Sequence, residues 1–309
     1  MKRDDLASPL YGGNKVRRYE FLLADAKAKD ARRIVTAGGI ASTQVMATAL
    51  FGAELGLAVT AVLFDQPVTQ FARESVLGFA EAGAELVRGG GYVMTAVRAL
   101  LALRREPASY FIMPGAADPL ANLGYVDAML ELAGQVARGE APQPDVIVLP
   151  TGSSGTLAAL ALGAAHLGWK TEVVGVRITT QLVCNRLTVG WVIGRTDRFL
   201  AQDPRWKPRR REVRYRLHGD ELGPGYGYPT PSALDGAARW SDLTGARGEV
   251  TYSGKALAAL RVLASTPAYA KKTILLWNTL STPRPSPSDA ARARVPRSLD
   301  WVFERPTVA

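Results

Sequence analysis

Cysteine and histidine are nearly absent from this sequence. Cys184 is the single cysteine, which excludes an intramolecular disulfide, and His166 and His218 are the two histidines, so no metal-binding cluster can be assembled from these residue types. Also missing are a leader-like segment ahead of the first motif and any run reaching the roughly 18 uninterrupted apolar residues of a membrane helix. The expected location is therefore the cytoplasm, with no membrane partner and no metal. Whatever chemistry the chain performs must come from lysines, hydroxyls and backbone groups.

What is present is enough for a large core. The chain has 309 residues, 47% of them hydrophobic and 21% charged, a size and balance that suit two lobes better than one. The net charge of +10 is concentrated in runs, Lys207-Pro-Arg-Arg-Arg211 with Arg214 and Arg216, then Arg292, Arg294 and Arg297. Such runs suit phosphate or nucleic acid. The first run lacks the interleaved aromatics of a base-stacking platform and serves equally as a solvated face, so nucleic acid is not the expected partner.

Apolar strand-like runs alternate with helical runs along the chain. Helical spacing over 17–29 precedes a short strand at 33–36, a Gly-Gly loop and an alanine-rich helix. Strands follow at 57–64, 84–87 and 110–113, with helices at 70–82 and 91–105 between them. The second half repeats the theme, with helices over 123–138, 155–167, 187–200, 234–243 and 256–263 and strands at 146–149, 172–177 and 272–277. This βαβα repetition predicts an α/β fold, an open parallel sheet covered by helices on both faces. From 180 to 225 the pattern degrades. After Asn278 the prolines Pro283, Pro285, Pro287 and Pro296 predict a mobile loop.

Three stretches carry chemistry. In Tyr11-Gly-Gly-Asn-Lys-Val-Arg-Arg18, two glycines let the backbone bend and approach a ligand, and Lys15 stands at the mouth of a helix. A lysine in a desolvated, cation-rich pocket loses part of its preference for charge, and its amine can then attack a carbonyl to form a Schiff base. Taken by itself, the segment also reads as a solvated lysine at a helix start. Thr151-Gly-Ser-Ser-Gly-Thr156 joins a buried strand to a helix, where unpaired amides, hydroxyls and the helix dipole suit a phosphate. It has neither the lysine of a nucleotide P-loop nor the spacing of a dinucleotide fingerprint, and a plain tight turn fits it as well. Pro224-Gly-Tyr-Gly-Tyr-Pro229 is a rigid turn that either sets Tyr226 over a flat ligand or simply packs a tyrosine.

These segments occur in a recognisable order. Lys2-Arg-Asp-Asp-Leu6, Gly12-Gly-Asn-Lys-Val-Arg17, Thr36-Ala-Gly-Gly-Ile40 with Ser42, Leu123-Gly-Tyr-Val126, the Gly152 loop, Gly225-Tyr-Gly227 and Tyr252-Ser-Gly-Lys-Ala256 together make the chain resemble the 1-aminocyclopropane-1-carboxylate deaminase and D-cysteine desulfhydrase family. Those are pyridoxal-phosphate enzymes of the tryptophan-synthase-β-like fold. The resemblance covers nearly the whole length. It implies a large cofactor-binding domain of residues 1–16 and 124–309, a small α/β domain of 17–123, and a homodimer.

Residue by residue, the resemblance makes Lys15 the lysine that holds pyridoxal 5'-phosphate and moves the α-proton of a small amino-acid substrate. Asn14 would neighbour it, and Arg18 would stand near the phosphate. Thr151, Gly152, Ser153, Ser154, Gly155 and Thr156 would bind that phosphate. Ser42 would meet the substrate carboxylate or reacting carbon, and Tyr226 would face the substrate. Thr43 replaces an asparagine that serves the cofactor's phenolic oxygen. Ser253 falls where the family sets a glutamate or threonine against the ring nitrogen.

A neutral hydroxyl at that last position would leave the nitrogen largely unprotonated, disfavour a long-lived quinonoid and suit prompt loss of a β-substituent. The expected reaction is therefore α,β-elimination to a 2-oxo acid and ammonia, as in D-cysteine desulfhydrase. Opening of an aminocyclopropane acid is the alternative. A catalytically impaired cofactor-binding homologue is the other, because Asn278-Thr-Leu-Ser281 replaces His-Thr-Gly-Gly and relatives have a few dozen residues upstream of Lys2.

Overall fold

The computed structural model describes residues 1–206, 212–281 and 286–308. The basic run Lys207 to Arg211 and the prolines Pro283 and Pro285 lie outside them. Among the described residues every strand pairing is parallel, and the strands form two sheets. The first has the order β4 (Glu85–Gly90), β3 (Ala58–Phe64), β2 (Arg33–Gly39), β5 (Ser109–Ile112). The second has the order β1 (Lys2–Arg3), β9 (Ile274–Asn278), β6 (Val146–Thr151), β7 (Glu172–Arg177), β8 (Tyr215–His218). Helices supply the connections, as parallel pairing requires. No helix among the described residues is long and apolar enough to cross a membrane.

The first four helices are α1 (Asn14–Ala28), α2 (Thr43–Glu54), α3 (Gln70–Glu81) and α4 (Tyr92–Arg105). Then come α5 (Pro119–Ala137), α6 (Gly155–His166), α7 (Arg186–Leu200), α8 (Pro231–Thr244), α9 (Ser253–Ser265) and the single turn α10 (Trp301–Glu304). Their starts follow local chemistry. The Ser42 hydroxyl accepts from Val45 N–H at 3.3 Å, Thr69 caps α3, Asp118 precedes Pro119 at α5, and Asn185 and Thr188 form a reciprocal capping box at α7. α6 is apolar on all sides and nearly all of it is buried, which marks it as a central helix rather than a surface one.

The structure departs from the sequence expectations in three places. The strand predicted to end at Thr36 continues through Ala37-Gly-Gly39, because β2 is flanked on both sides and its ladder to β3 runs to Gly39 opposite Phe64. β1 and β8 went unforeseen. β1 is two residues long, and β8 is an edge strand whose four residues are all half-buried. The expectation of a mobile tail is wrong for the described part. Val295, Leu299 and Val302 are buried in the same core as Phe79 and Val76 of α3, and Arg73 donates to the carbonyls of Val302 and Arg305 at 3.1 and 2.6 Å.

Asp4 ties the N-terminus to the second sheet. Its carboxylate accepts from Arg17 Nε at 2.9 Å, Tyr125 hydroxyl at 2.6 Å and Trp277 Nε1 at 2.6 Å. With three donors converging on it, a buried carboxylate is tolerated there. The Lys2-Arg-Asp-Asp motif thereby fixes the entry to α1, and with it the position of Lys15.

Candidate functional site

A cavity of about 550 Å³ opens where the C-terminal ends of the two sheets meet. Gly38 and Gly39 at the end of β2, Thr151 at the end of β6, Ile178 after β7 and Thr279 after β9 all line it. Open α/β sheets place ligands at such strand ends because helix starts converge there. Of the sequence-predicted residues, Asn14, Lys15, Ser42, Thr43, Thr151, Gly152, Ser153, Ser154, Thr156 and Tyr226 line this one cavity. Gly155, Arg18 and Ser253 do not.

Lys15 occupies the first turn of α1, and the backbone before it is pressed against the chain's far end. Gly13 has φ of +84°, Asn14 N–H donates to the Thr279 carbonyl at 3.0 Å, and a Cβ on Gly13 would stand 2.6 Å from that same oxygen. A glycine is required there both by conformation and by space. The Lys15 amine is buried, 3.5 Å from the Gly115 carbonyl, and is the only charged side chain among the described residues lining the cavity. Burial, followed by repulsion from Arg18, lowers its pKa well below the usual lysine value. A buried amine with no carboxylate beside it favours the neutral, nucleophilic form.

The turn from Thr151 to Thr156 is built to hold something. Ser154 adopts left-handed backbone, φ +67°, which turns the chain sharply into α6, and the amides of the first helical turn have no intrahelical partner. The Thr151 hydroxyl oxygen is buried and unpartnered. Thr156 Oγ1 accepts from Arg18 Nη2 at 2.8 Å and from Asn14 Nδ2 at 3.4 Å, so its own proton remains to donate. Ser153 reaches the Gly115 carbonyl at 3.4 Å and Ser154 reaches Cys184 Sγ at 3.5 Å. Unpaired amides, free hydroxyl donors and a helix start fit a phosphate, and the neutral amine of Lys15 fits an aldehyde. The residues present therefore suit the cofactor that the sequence resemblance implies.

Arg18 is not at the cavity wall. Its guanidinium lies behind the turn, fully buried, donating to the Ala116 carbonyl at 2.5 Å, Asn122 Oδ1 at 3.1 Å and Thr156 Oγ1. Burial draws its pKa down to about 10. Gly155 belongs to the same backing, since a Cβ there would meet Arg18 and Asn122 at 2.8 Å. Both residues shape the turn rather than face a ligand.

Opposite the turn stands a pair of tyrosines. The hydroxyls of Tyr226 and Tyr252 lie 2.5 Å apart, and Thr43 lines the same cavity. Burial above all pushes both phenols above their ordinary pKa, and in Tyr252 the neighbouring Tyr226 adds to it. Both remain protonated donors. The aromatic series continues from Tyr226 to Phe64 (6.1 Å, edge-on) and on to Tyr92 (4.8 Å).

Ser253 requires a correction. Its hydroxyl accepts from Glu249 N–H at 2.9 Å and donates to the Glu249 carbonyl at 3.0 Å, and it is absent from the cavity wall. The Glu249 carboxylate accepts from the amides of Thr251, Tyr252 and Ser253, each at 2.7 Å, and so covers the start of α9. Held in this way, the Ser253 hydroxyl is engaged within the first turn of α9. Sequence reasoning missed Tyr252, Gly115 and Thr279. Tyr252 opens the Tyr252-Ser-Gly-Lys-Ala256 motif, Pro114-Gly115 is a turn signal, and Thr279 lies in the Asn278-Thr-Leu-Ser281 segment.

Comparison with known proteins agrees with this geometry. The family model described as pyridoxal-phosphate dependent enzyme matches residues 1–279. The chain is 33% identical over 269 residues to D-cysteine desulfhydrase of Serratia proteamaculans (strain 568), covering 84% of this chain and 79% of that one. It is 30% identical over 273 residues to D-cysteine desulfhydrase of Salmonella choleraesuis (strain SC-B67), with the same coverage. Among solved structures, one described as an ACC deaminase homologue superposes with TM-score 0.75 at 28% identity, over 90% of this chain and 83% of that one. A lysine-to-alanine variant of O-ureido-L-serine synthase, bound to O-ureido-L-serine, is similar with TM-score 0.63 at 18% identity over 97% and 85% of the two chains, a likeness of fold alone.

Proposed function

The chain belongs to the family of pyridoxal-phosphate dependent enzymes, and from that premise we propose that it is a D-cysteine desulfhydrase-like lyase, removing the β-substituent and amino group of a small amino acid to leave a 2-oxo acid and ammonia. When bound, pyridoxal phosphate supplies an aldehyde that captures an amine and a ring that draws electrons from the substrate's α-carbon. The observation that carries the reading is the meeting of a buried Lys15, with no carboxylate on the cavity wall beside it, and the Thr151–Thr156 turn in one cavity.

The roles of the chain's own residues follow from position. Lys15 Nζ, neutral through burial, holds the cofactor and takes the proton from the α-carbon. The turn amides with the hydroxyls of Thr151, Ser153 and Thr156 hold the phosphate, with Asn14 alongside, while Arg18 and Gly155 keep the turn in shape from behind. Ser42 and the start of α2 receive the substrate carboxylate, which the helix dipole favours. The protonated Tyr226 and Tyr252 pair can give a proton to a departing group, with Thr43 on the same cavity wall.

Residues 1–16 and 124–309 are taken as the cofactor-holding lobe and 17–123 as the second, a division on either side of which the two sheets fall. Val295, Leu299 and Val302 nevertheless share a core with the second lobe. A homodimer is the proposed assembly. Exposed Val93, Leu182, Leu187 and Trp191 supply apolar surface for it.

Opening of an aminocyclopropane acid remains a second reading, favoured by the solved ACC deaminase homologue. The test is direct. Protein supplied with pyridoxal phosphate should gain a visible absorbance that Lys15→Ala abolishes. Release of 2-oxo acid is then measured from D-cysteine, L-cysteine and 1-aminocyclopropane-1-carboxylate, and turnover of the last alone would replace elimination by ring opening.

A further inference from the structure

Most of the cavity's polar side chains come from Asn14, Lys15, Ser42, Thr43, the Thr151–Thr156 turn and the tyrosine pair, which account for the needs of a cofactor and an amino acid's carboxylate and amine. A second group of lining residues is mainly apolar. α4 contributes Tyr92, Ala96, Leu100 and Leu103 beside Thr95, whose hydroxyl is taken up by the Gly91 carbonyl, Phe111 comes from β5, and Ile178, Thr179 and Val183 follow β7. Four of these bulky side chains are 41 to 58% exposed: Tyr92, Leu100, Phe111 and Val183. Apolar surface this open, continuous with a ligand cavity, marks a place where an apolar group is to be covered.

Charge supports the same conclusion by its distribution. Apart from Lys15, no described residue lining the cavity carries a charge. Nothing there would pair with a second carboxylate or a second ammonium on a substrate. A charged side chain would be stripped of water without compensation, whereas an aromatic or alkyl group would gain roughly 25 cal/mol for each Å² it buries.

Resting on the lyase reading above, we propose that the substrates served best are S-substituted cysteines carrying a bulky apolar group, which the arm between α4 and residues 178–183 holds as it departs. Lys15 takes the α-proton, the Cβ–S bond breaks with its electron pair leaving on sulfur, and the thiolate acquires a proton to leave as a thiol. Hydrolysis by one water then gives pyruvate and ammonium, with no net oxidation or reduction. The Tyr226 and Tyr252 hydroxyls lie on the cavity wall as a proton source for that sulfur. Unsubstituted cysteine leaves the arm unused.

The experiment compares kcat/KM of the holoenzyme for S-benzylcysteine and cysteine, in both enantiomers, following pyruvate and benzyl thiol. For the enantiomer accepted, S-benzylcysteine should be preferred by at least roughly tenfold, the scale on which apolar pockets discriminate. Leu100→Asp, at an exposed position, should lower that preference by a similar factor. Turnover of cysteine with no preference for the benzyl compound overturns this inference and leaves the lyase reading standing. Cofactor binding without pyruvate from either compound overturns both. An unchanged preference in Leu100→Asp, with a dimer converted to monomer, also overturns it, because the α4 wall would then be a contact between copies.

Discussion

Arg18 Nη2 donates to Thr156 Oγ1 over 2.8 Å, from a helix 138 positions away and from behind the turn that Thr156 closes. The guanidinium also holds the Ala116 carbonyl and Asn122 Oδ1, so its removal orphans these two buried acceptors and leaves Thr156 Oγ1 with only the longer bond from Asn14. Arg18→Met is therefore expected to cost about 3 kcal/mol, the scale of losing hydrogen bonds to a charged group, and to lower cofactor content. Arg18→Lys should keep the charge and part of the bonding, with an intermediate loss. Thermal unfolding and bound-cofactor absorbance measure both. Loss of cofactor at full stability would mean that Arg18 reaches the phosphate itself.

Lys15 gives the cofactor-free protein a pH dependence of definite sign. Burial and Arg18 hold its folded pKa well below 10.5, the value it regains on unfolding. Between those two values the unfolded chain binds more protons, so stability rises with pH across the window, and the penalty is complete below it. Lys15→Met carries no proton at any pH. It should be more stable than the parent at neutral pH, with the gap closing toward pH 10. Urea midpoints of the two cofactor-free proteins from pH 7 to 10 would show this, and a gap that widens with pH would contradict it.

The tyrosine pair predicts a loss in turnover without a loss of cofactor. Tyr252→Phe removes the hydroxyl that pairs with Tyr226. Loss of a positioned proton donor typically costs about 100-fold or more in rate, so kcat should fall on that scale while the visible absorbance is kept. Because burial raises both phenols above their ordinary value near 10, the parent's rate should show no decline from their ionisation up to about that pH. A fall in cofactor content equal to the fall in kcat would make the pair structural.

Much of the fold was legible because its elements are repetitive and apolar. β6 opens on Val146-Ile-Val-Leu149, β7 carries Val173, Val174 and Val176, and α6 follows a Gly/Ser turn, so pattern and punctuation agree. β1 and β8 were not legible, since a two-residue strand has no period and a half-buried edge strand bearing Arg216 and His218 has no apolar signature. The packed tail was hidden by its prolines. Val295, Leu299 and Val302 are spaced for short tight turns rather than a long helix. Within the site, Lys15 and the Thr151 turn could be read from chemistry. Which of the two residues in Tyr252-Ser253 faces the cavity depends on the rotation of α9, which the Glu249 carboxylate sets from four residues upstream of Ser253.

That rotation yields the last prediction. Ser253 Oγ is committed to the Glu249 backbone and the first turn of α9, so Ser253→Ala should lose about 1 kcal/mol, the net worth of a typical intramolecular hydrogen bond. Cofactor absorbance and turnover should stay near the parent's. Glu249→Gln should cost more, because its carboxylate accepts from three amides at 2.7 Å and a neutral amide weakens each bond and the match to the helix dipole. The neighbouring Tyr252 would then be displaced, so turnover should drop along with stability. The two variants thus separate support of the helix from contact with the ring. A shifted visible spectrum in Ser253→Ala, with stability unchanged, would return that hydroxyl to the cofactor and restore the case that a neutral partner for the ring nitrogen favours elimination.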